Sequence, residues 1–280
     1  MSDYQKFEVT SACMLRDFLE ERISNKALKA LKKDGDIQVN QVTRTVRHML
    51  EVGDVVELYY PDESQKSQIS PWYFPLHILY EDEYLMVVSK PKGMPSIPNK
   101  RYQKHTLANI LTAYYEMNHI GSLVHLVSRL DKDTSGVILV AKSRRMHQLM
   151  INQFERRYLL VTEGQMEDKG TINAPIGKEE GSVIRRCVCD HGKHAITHYQ
   201  VLKSTKDYSI VEAKLETGRT HQIRVHFAYI GHPLLGDTLY GKAHPYFKGQ
   251  ALHSYYLEFI HPITKEKMVF KDFPSWYEAF

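Results

Sequence analysis

One run of the sequence presents a carboxylate in a setting suited to catalysis. Asp131 lies in a polar loop, residues 129–135, that leads into the apolar stretch 136–141. Loops braced by a buried element often present catalytic groups. Thr134 and Ser135 can hydrogen-bond the backbone around Asp131 and fix the turn. A loop acid can also do no more than cap its own backbone, so this run alone gives a candidate residue and not a reaction.

A second run concentrates donors around a glycine. Polar and charged side chains cluster near Gly218 within residues 215–222, and apolar residues then alternate with Arg224 and His226. This alternation places Arg224 and His226 together on one face of a strand, or on one face at the start of a short helix. A fixed guanidinium there could pair with a carboxylate and lower its pKa. A surface rich in basic residues would explain the charges but not their concentration around Gly218.

Together the two runs resemble the signatures of the RluA/RluD-type pseudouridine synthases. That family has His-Arg-Leu-Asp-x-x-Thr-Ser-Gly and, later, Thr-Gly-Arg-x-His-Gln-[Ile/Leu]-Arg-x-His, which correspond here to residues 128–136 and 217–226. Ser128 stands where the family usually has histidine. The resemblance covers roughly residues 76–280 and continues, in the same order, through residues 90–94, 192–197, 231–241, 252–253 and 261–262.

The resemblance also implies roles for individual residues. Asp131 becomes the catalytic aspartate, Arg224 the partner that orients its carboxylate, and Tyr158 the active-site tyrosine that stacks on the target base. Arg129 corresponds to the arginine that fills the gap left by the flipped nucleotide. The residues assigned to substrate binding are Arg129, Thr134, Ser135, Arg219, His221, Gln222 and His226.

The implied reaction explains why these residue types are needed. Uracil is detached from the anomeric carbon, turned, and rejoined through carbon 5, so the change is an isomerisation that implies no metal, redox carrier or nucleotide cofactor. Burial would raise the pKa of Asp131, and Arg224 would oppose that shift. The uridine must leave its stack before the enzyme can reach it. Tyr158 offers a flat face and a phenol, and the planar guanidinium of Arg129 suits the vacated space.

The elements that must position these residues form a mixed pattern. Strand-like runs outnumber helical ones beyond residue 76, and short turns join several neighbours. We therefore expect an α+β fold with a mixed, largely antiparallel central sheet, flanking helices and a catalytic cleft. The predicted strands are 78–80, 85–88, 136–141, 158–163, 195–202, 208–215 and 252–259. The predicted helices are 106–117 and 146–154.

The first 60 residues predict a separate small module. Apolar residues recur at helical spacing in two segments, 15–23 and 27–31, and strands are expected at 37–39 and 55–59. The module resembles the small RNA-binding domain shared with ribosomal protein S-four. Its predicted RNA-binding residues are Lys26, Lys29, Lys32, Lys33, Arg44 and Arg47. A solvated helix face would give the same charge pattern.

The predicted domain organisation is a module at 1–60, a linker at 61–75 and a catalytic domain at 76–280. The linker combines three prolines with polar residues. Helical basic modules of this kind favour a structured ribosomal RNA as partner over transfer RNA.

Composition bounds these expectations. The 280 residues are 42% hydrophobic, and 37 Lys and Arg exceed 33 Asp and Glu, which permits a polyanionic partner without requiring one. No run approaches 18 consecutive apolar residues, so no membrane-spanning helix is expected. The first residues lack a basic-then-apolar signal, and this predicts a cytoplasmic protein. Three cysteines argue against a disulfide framework.

Three other classes of protein compete with this interpretation. A metal enzyme could use Cys187, Cys189 and nearby histidines, although zinc sites favour Cys-x-x-Cys spacing. A glycoside hydrolase needs a second acid about 5–10 Å from Asp131, for which Asp133 and Glu216 are weak candidates. An RNA-binding protein without catalysis would share the basic surface but would leave RNA unmodified.

Overall fold

The computed structural model describes residues 4–61 and 69–278. The chain divides into two compact units, Met1–Gln68 with Tyr115–Leu123, and Ile69–Tyr114 with Val124–Phe280. The predicted linker, residues 61–75, includes this boundary, and its residues 62–68 lie outside the described part. Within that part, no helix is long and apolar enough to cross a membrane.

The smaller unit combines two helices with short antiparallel strands. Its elements are β1 (Tyr4–Glu8), β2 (Cys13–Met14), α1 (Leu15–Glu20), α2 (Asn25–Asp34), β3 (Asp36–Val39), β4 (Val42–Thr43), β5 (Met49–Leu50) and β6 (Val55–Tyr59). Four strands form a sheet in the order β1-β6-β3-β4. Helix α2 begins after Ser24, whose hydroxyl accepts from the backbone N–H of Ala27. Both predicted helices and both predicted strands are present, whereas β1 was not predicted.

The apolar spacing of those helices is explained by one core. Leu15 and Leu19 of α1 and Leu31 of α2 are buried together with Leu50 and Leu58 from the strands. The polar residues of α2 remain on its outer face, as expected for an amphipathic helix packed on a sheet.

The larger unit holds the remaining elements. They are β7 (His77–Glu81), β8 (Leu85–Lys90), α3 (Leu107–Met117, of which residues up to Tyr114 belong to this unit), β9 (His125–Leu126), β10 (Ser135–Ala141), α4 (Arg144–Met150), β11 (Phe154–Glu163), β12 (Lys169–Asn173), β13 (Ile176–Lys178), β14 (Arg186–Val188), β15 (Ile196–Ser204), β16 (Tyr208–Leu215), α5 (Gln222–Tyr229), β17 (Leu252–Ile260) and β18 (Lys267–Lys271). Each predicted strand overlaps one of these.

A ten-stranded sheet dominates this unit. Its strands follow the order β12-β15-β16-β11-β17-β10-β8-β7, with β18 beside β17 and β9 beside β10. The β10–β17 pair is parallel, and the other pairs in the sheet are antiparallel. This confirms the predicted α+β fold with a mixed, largely antiparallel sheet.

The parallel pair depends on a glycine directly after the loop that carries Asp131. Gly136 has φ +109°, and a Cβ there would lie 2.2 Å from the carbonyl oxygen of Ser254. Any side chain would push β10 away from β17, so the end of the loop is fixed against the centre of the sheet.

Two sequence predictions need correction. The helix predicted over 146–154 ends at Met150, because the chain reverses through Asn152 at φ +58° and Phe154 already begins β11. Of the two forms left open for the segment around Arg224, the strand is wrong and the helix is right. Six consecutive residues of α5, from Gln222 to Phe227, are buried, so its alternation of polar and apolar residues marks no solvent face.

Candidate active site

Two adjoining cavities in the larger unit meet at Asp131. The outer cavity has a volume of about 670 Å³ and the inner cavity about 70 Å³. Both are lined by Arg129, Asp131, Tyr158 and Arg219, and only the inner one reaches Arg224. The two runs singled out in the sequence therefore face each other across one cleft.

Asp131 is held by a buried arginine. Arg224 Nη1 donates to Asp131 Oδ2 at 3.1 Å, while its Nε and Nη2 donate to the two carboxylate oxygens of Asp237 at 2.7 and 2.8 Å. The Asp237 side chain is 1% exposed, whereas that of Asp131 is 29% exposed. The guanidinium thus uses its two-donor fork on the buried acid and presents its remaining nitrogen to the acid that faces the cavity.

The charge of Arg224 is secure in this setting. Burial disfavours the charged form, but the hydrogen bonds and charges of Asp237 and Asp131 outweigh burial and raise the pKa of Arg224 further above its usual value. Asp237 is anchored in turn, since its Oδ1 also accepts from the backbone N–H of Leu239 at 3.0 Å. A permanent positive charge therefore lies beside the Asp131 carboxylate.

Gln222 shapes the loop before α5. Its Oε1 accepts from the Thr217 hydroxyl at 2.8 Å and from the Arg219 N–H at 2.9 Å, and its Nε2 donates to the Ile196 carbonyl at 2.9 Å. The side chain lies at the inner cavity but is 2% exposed and fully engaged. Gln222 therefore supports the loop.

His221 also faces the carboxylate. Its Nε2 lies 3.7 Å from Asp131 Oδ2, and its Nδ1 lies 2.8 Å from the Tyr240 hydroxyl. That hydroxyl also accepts from the backbone N–H of Arg186 at 2.9 Å, so Tyr240 holds the ring with Nε2 toward Asp131. Burial lowers the pKa of His221, as does Arg224, while Asp131 acts in the opposite direction. A neutral ring is therefore favoured.

Tyr158 reaches the cleft from β11, in the middle of the sheet. Its side chain is 4% exposed and lines both cavities. The register of β11 against β17 shifts between Arg157 and Tyr158. The extra residue is Tyr255 of β17, so β11 keeps its own alternation and Tyr158 shares a face with Arg156; such bulges are common beside active sites. Tyr158 therefore presents an aromatic face and a phenol at the junction of the two cavities.

Two predicted arginines stand around the cleft. Arg129 is exposed and lines both cavities, and among the described residues it makes no ion pair. Arg219 is partly buried, and its Nε donates to the His194 carbonyl at 2.9 Å. Both guanidinium groups can still offer donors to a ligand.

Three further predicted residues turn inward. Thr134 lines the inner cavity, but its hydroxyl accepts from Gln250 at 3.0 Å. Ser135 lies outside both cavity linings and pairs with His253 Nδ1 at 2.8 Å. His226 is fully buried, with its ring nitrogens bonded to Thr197 and Ala174. The structure gives Ser135 and His226 packing partners and does not bring them to the cleft.

Lys90 and Ser128 support the Asp131 loop from beneath. Lys90 is fully buried, and its ammonium donates to the carbonyls of Met94, Pro91 and Lys132 at 2.7, 2.9 and 3.2 Å. Burial lowers the pKa of Lys90 to about 7, against charges of nearby acids that raise it. Ser128, in the position of the family's histidine, is buried, and its hydroxyl accepts from the Leu139 N–H at 3.4 Å.

Sequence reasoning assigned no role to Asp237, Tyr240 or Lys90. All three stand in segments that contributed to the family resemblance, residues 90–94 and 231–241. In the sequence, Asp237 and Tyr240 stood out only as an acid and a hydroxyl that follow the Arg224 motif. Only the fold shows that these side chains converge on the cleft.

The predicted RNA-binding residues lie on the smaller unit. Lys29, Lys32, Lys33, Arg44 and Arg47 are exposed, and the side chain of Lys26 lies outside the described part. Lys33 Nζ is 3.9 Å from Asp34 Oδ2, with the two side chains 81% and 36% exposed. Surface pairs of this kind are weak, so the unit presents an exposed set of positive charges.

Comparison with known proteins agrees with this geometry. A family described as RNA pseudouridylate synthase matches residues 84–229. An uncharacterized RNA pseudouridine synthase of Bacillus subtilis (strain 168), YjbO, is 42% identical over 255 residues, covering 89% of this chain and 90% of its own. Ribosomal large subunit pseudouridine synthase D of Xanthomonas campestris is 34% identical over 281 residues, covering 94% and 83%.

The fold is shared with a human protein. The solved structure of Human RNA Pseudouridylate Synthase Domain Containing 1 superposes with a TM-score of 0.60 at 25% identity, covering 73% of this chain and 86% of that one. The chain therefore belongs to the RNA pseudouridylate synthase family. It is an RNA pseudouridine synthase of the RluA/RluD type, an isomerase. Within residues 4–61 and 69–278, no cluster of three or more His, Cys, Asp or Glu could hold a metal ion.

Proposed function

We propose that this enzyme converts uridine to pseudouridine in large-subunit ribosomal RNA of the cytoplasm, with Asp131 as its catalytic residue. The contact between Asp131 and the buried Arg224, at the junction of the two cavities, carries the assignment of the site. The ribosomal substrate is supported by relatives named as large-subunit synthases. Transfer RNA is the alternative substrate.

Asp131 acts as the ionised carboxylate. It is exposed enough to meet a nucleoside in the cavity, and the guanidinium of Arg224 keeps a positive charge 3.1 Å from its Oδ2. A carboxylate in this setting can attack the sugar or the base, or assist elimination across the sugar. His221, with Nε2 3.7 Å from the same oxygen, is a further positioning group.

Tyr158 contacts the extruded nucleoside, and Arg129 occupies the place that the nucleoside leaves in the RNA. An unstacked uracil loses stacking energy of a few kcal/mol, which stacking on an aromatic side chain offsets. Tyr158 supplies that face beside Asp131, and its phenol can donate or accept a proton. Arg129, exposed at the cavity, fills the space that the base leaves in the RNA. Arg219 and the exposed basic residues of the smaller unit, which resembles an S-four-type module, contact phosphates.

Tritium release tests the proposal directly. Pseudouridine formation replaces the hydrogen on carbon 5 of uracil by the bond to the sugar, so RNA made with uridine tritiated at carbon 5 releases its label. We expect release from transcribed large-subunit ribosomal RNA and not from transfer RNA. Asp131→Asn should lose more than 1,000-fold in rate while binding the RNA within about twofold of the wild type.

Two outcomes contradict parts of this proposal. Release from transfer RNA alone would reject the ribosomal substrate and leave the site assignment standing. Turnover by Asp131→Asn near the wild-type rate, with deamidation excluded by mass spectrometry, would remove Asp131 from catalysis. Asp133→Asn is the matched control, since it removes a carboxylate from the same loop.

A further inference from the structure

One guanidinium in the wall of the outer cavity has no role in the reaction described above. Phe154, Arg156 and Tyr158 alternate along β11, so their side chains point to the same face of the sheet. All three line the outer cavity. Tyr158 is buried at the inner end, whereas Phe154 and Arg156 are partly exposed. Successive members of this row lie roughly 6.8 Å apart along the strand, at about 3.4 Å per residue.

Arg156 is oriented but carries an unneutralised charge. Its guanidinium carbon lies 4.9 Å from the centre of the Phe154 ring, a cation–π contact that steadies the group. Throughout the described ranges, 4–61 and 69–278, it makes no ion pair. On the other side, a Cβ on Gly218 would lie 3.6 Å from Arg156 Nη2. Glycine leaves that side open, so a ligand can approach the guanidinium edge.

The next residue shows the opposite arrangement. Arg157 points to the other face of β11, where its Nε is 2.7 Å from Glu155 Oε1 and its Nη1 is 3.5 Å from Glu212 Oε1. The guanidinium also packs over the Tyr256 ring at 4.9 Å. Of these two adjacent arginines, Arg157 is therefore paired with acids on the face away from the cavity, whereas Arg156, at the cavity, has no acidic partner within the described ranges.

We propose that Arg156 binds a backbone phosphate of the flipped nucleotide, a phosphodiester subsite in the wall of the outer cavity. This inference rests on the proposed function of the cleft. A nucleotide stacked on Tyr158 must keep its backbone toward the cavity opening, because the RNA strand continues outside. Arg156 lies on that path, two residues from Tyr158 on the same strand. The planar fork of a guanidinium matches two phosphate oxygens.

The surrounding charge favours an anion at this place. Arg129, Lys132 and Arg219 also line the outer cavity. Glu216, an acid of the same lining, is paired with His198 at 2.5 Å. A phosphate entering the cavity therefore meets more cationic than acidic side chains, and Asp131, deeper in the cleft, is already paired with Arg224.

Substitution at two adjacent positions tests the subsite. Arg156→Gln should lower kcat/KM for tritium release about 10-fold, mainly through KM, and Arg156→Lys should recover part of the loss, since it keeps the charge without the fork. Arg157→Gln is the matched control and should stay within about twofold. A synthetic stem–loop around the modified uridine, with an uncharged methylphosphonate next to that uridine, should lower the wild type to the level of Arg156→Gln and leave that variant unchanged.

Binding gives a readout that does not depend on turnover or on the ribosomal target. On a 12-nucleotide oligouridylate, Arg156→Gln should reduce the slope of log affinity against log salt by about 0.7, the value for one phosphate of a single strand that is no longer neutralised. Equal slopes for Arg156→Gln and Arg157→Gln would overturn the proposal. The proposal would also be overturned if every neighbouring methylphosphonate lowered kcat/KM by the same factor in Arg156→Gln as in the wild type, because the two changes would then act independently. Absence of wild-type turnover on ribosomal RNA would instead refute the proposed substrate.

Discussion

Two groups of basic residues hold their charges in opposite ways. In the larger unit, Arg224 is buried and bonded to two carboxylates, and one of its contacts is the catalytic candidate Asp131. In the smaller unit, Lys29 and Lys32 are exposed, and among the described residues neither makes an ion pair. A buried charge is fixed in geometry and costs much to disturb. An exposed charge is screened by salt and adds affinity without geometry. The first arrangement suits chemistry, and the second suits RNA capture.

The largest effect should follow from removing the buried arginine. Arg224→Met leaves Asp237 buried without its partner, and breaking a buried pair in this way costs about 3–5 kcal/mol. We expect the free energy of unfolding, measured in urea, to fall by that amount and tritium release to be abolished. The double variant Arg224→Met with Asp237→Leu removes the stranded charge and should recover most of the stability.

The double variant separates folding from chemistry. If Arg224 also holds the Asp131 carboxylate in position for the reaction, the restabilised double variant should remain inactive. Activity that returns together with stability would show that the guanidinium serves the fold alone.

A smaller, pH-dependent effect is expected at Lys90. Its pKa is lowered by burial to about 7 in the folded protein, whereas an unfolded chain keeps the lysine proton up to about pH 10. Between these values the unfolded chain binds more protons, so the free energy of unfolding rises with pH. The contribution of this group is at most about 1.4 kcal/mol per pH unit.

Urea unfolding at pH 7, 8 and 9 measures this contribution. Lys90→Met should lack the rise that Lys90 contributes, so its stability should fall behind that of the wild type as pH increases. Lys132→Met, an exposed lysine of the neighbouring loop, should keep the wild-type slope. Parallel curves for Lys90→Met and the wild type would show that Lys90 does not change protonation in this range.

The contact between Asp131 and Arg224 could be predicted because both residues stand in motifs that resemble those of the RluA/RluD-type pseudouridine synthases, and that resemblance implies the pair. The composition of the second run alone indicated only that a guanidinium could meet a carboxylate. Strands such as β8 and β10 could be predicted because they are apolar runs that lie buried in the sheet. The burial of His226 could not, since alternation in a helix enclosed on all sides looks like a two-faced strand. Asp237 was missed for another reason: a lone acid in a loop gives no sign that it receives both arms of an arginine.

Arg156 shows the same limit at the level of single residues. The sequence has three charged residues in a row, the acid Glu155 followed by Arg156 and Arg157. Only the strand assignment separates them by alternation, and only the fold shows that one face of β11 is a cavity wall while the other holds acidic partners. Local sequence gives the charge, and tertiary packing decides whether that charge can reach a ligand.

The smallest effect on stability, and the clearest effect on capture, is expected on α2. Lys29 and Lys32 are three residues apart and share a helix face. Replacing both by Gln should change the free energy of unfolding by less than about 0.5 kcal/mol and leave kcat at saturating RNA unchanged. The slope of log affinity against log salt for the ribosomal transcript should fall by about 0.7–0.9 for each phosphate that the double variant no longer binds. Lys6→Gln is the control, because Lys6 lies on β1 of the same unit and outside α2, 3.7 Å from Glu57, whose side chain is 9% exposed. If the double variant and the control give equal slopes, the exposed lysines of α2 are a solvated surface, and capture of RNA depends on the cleft alone.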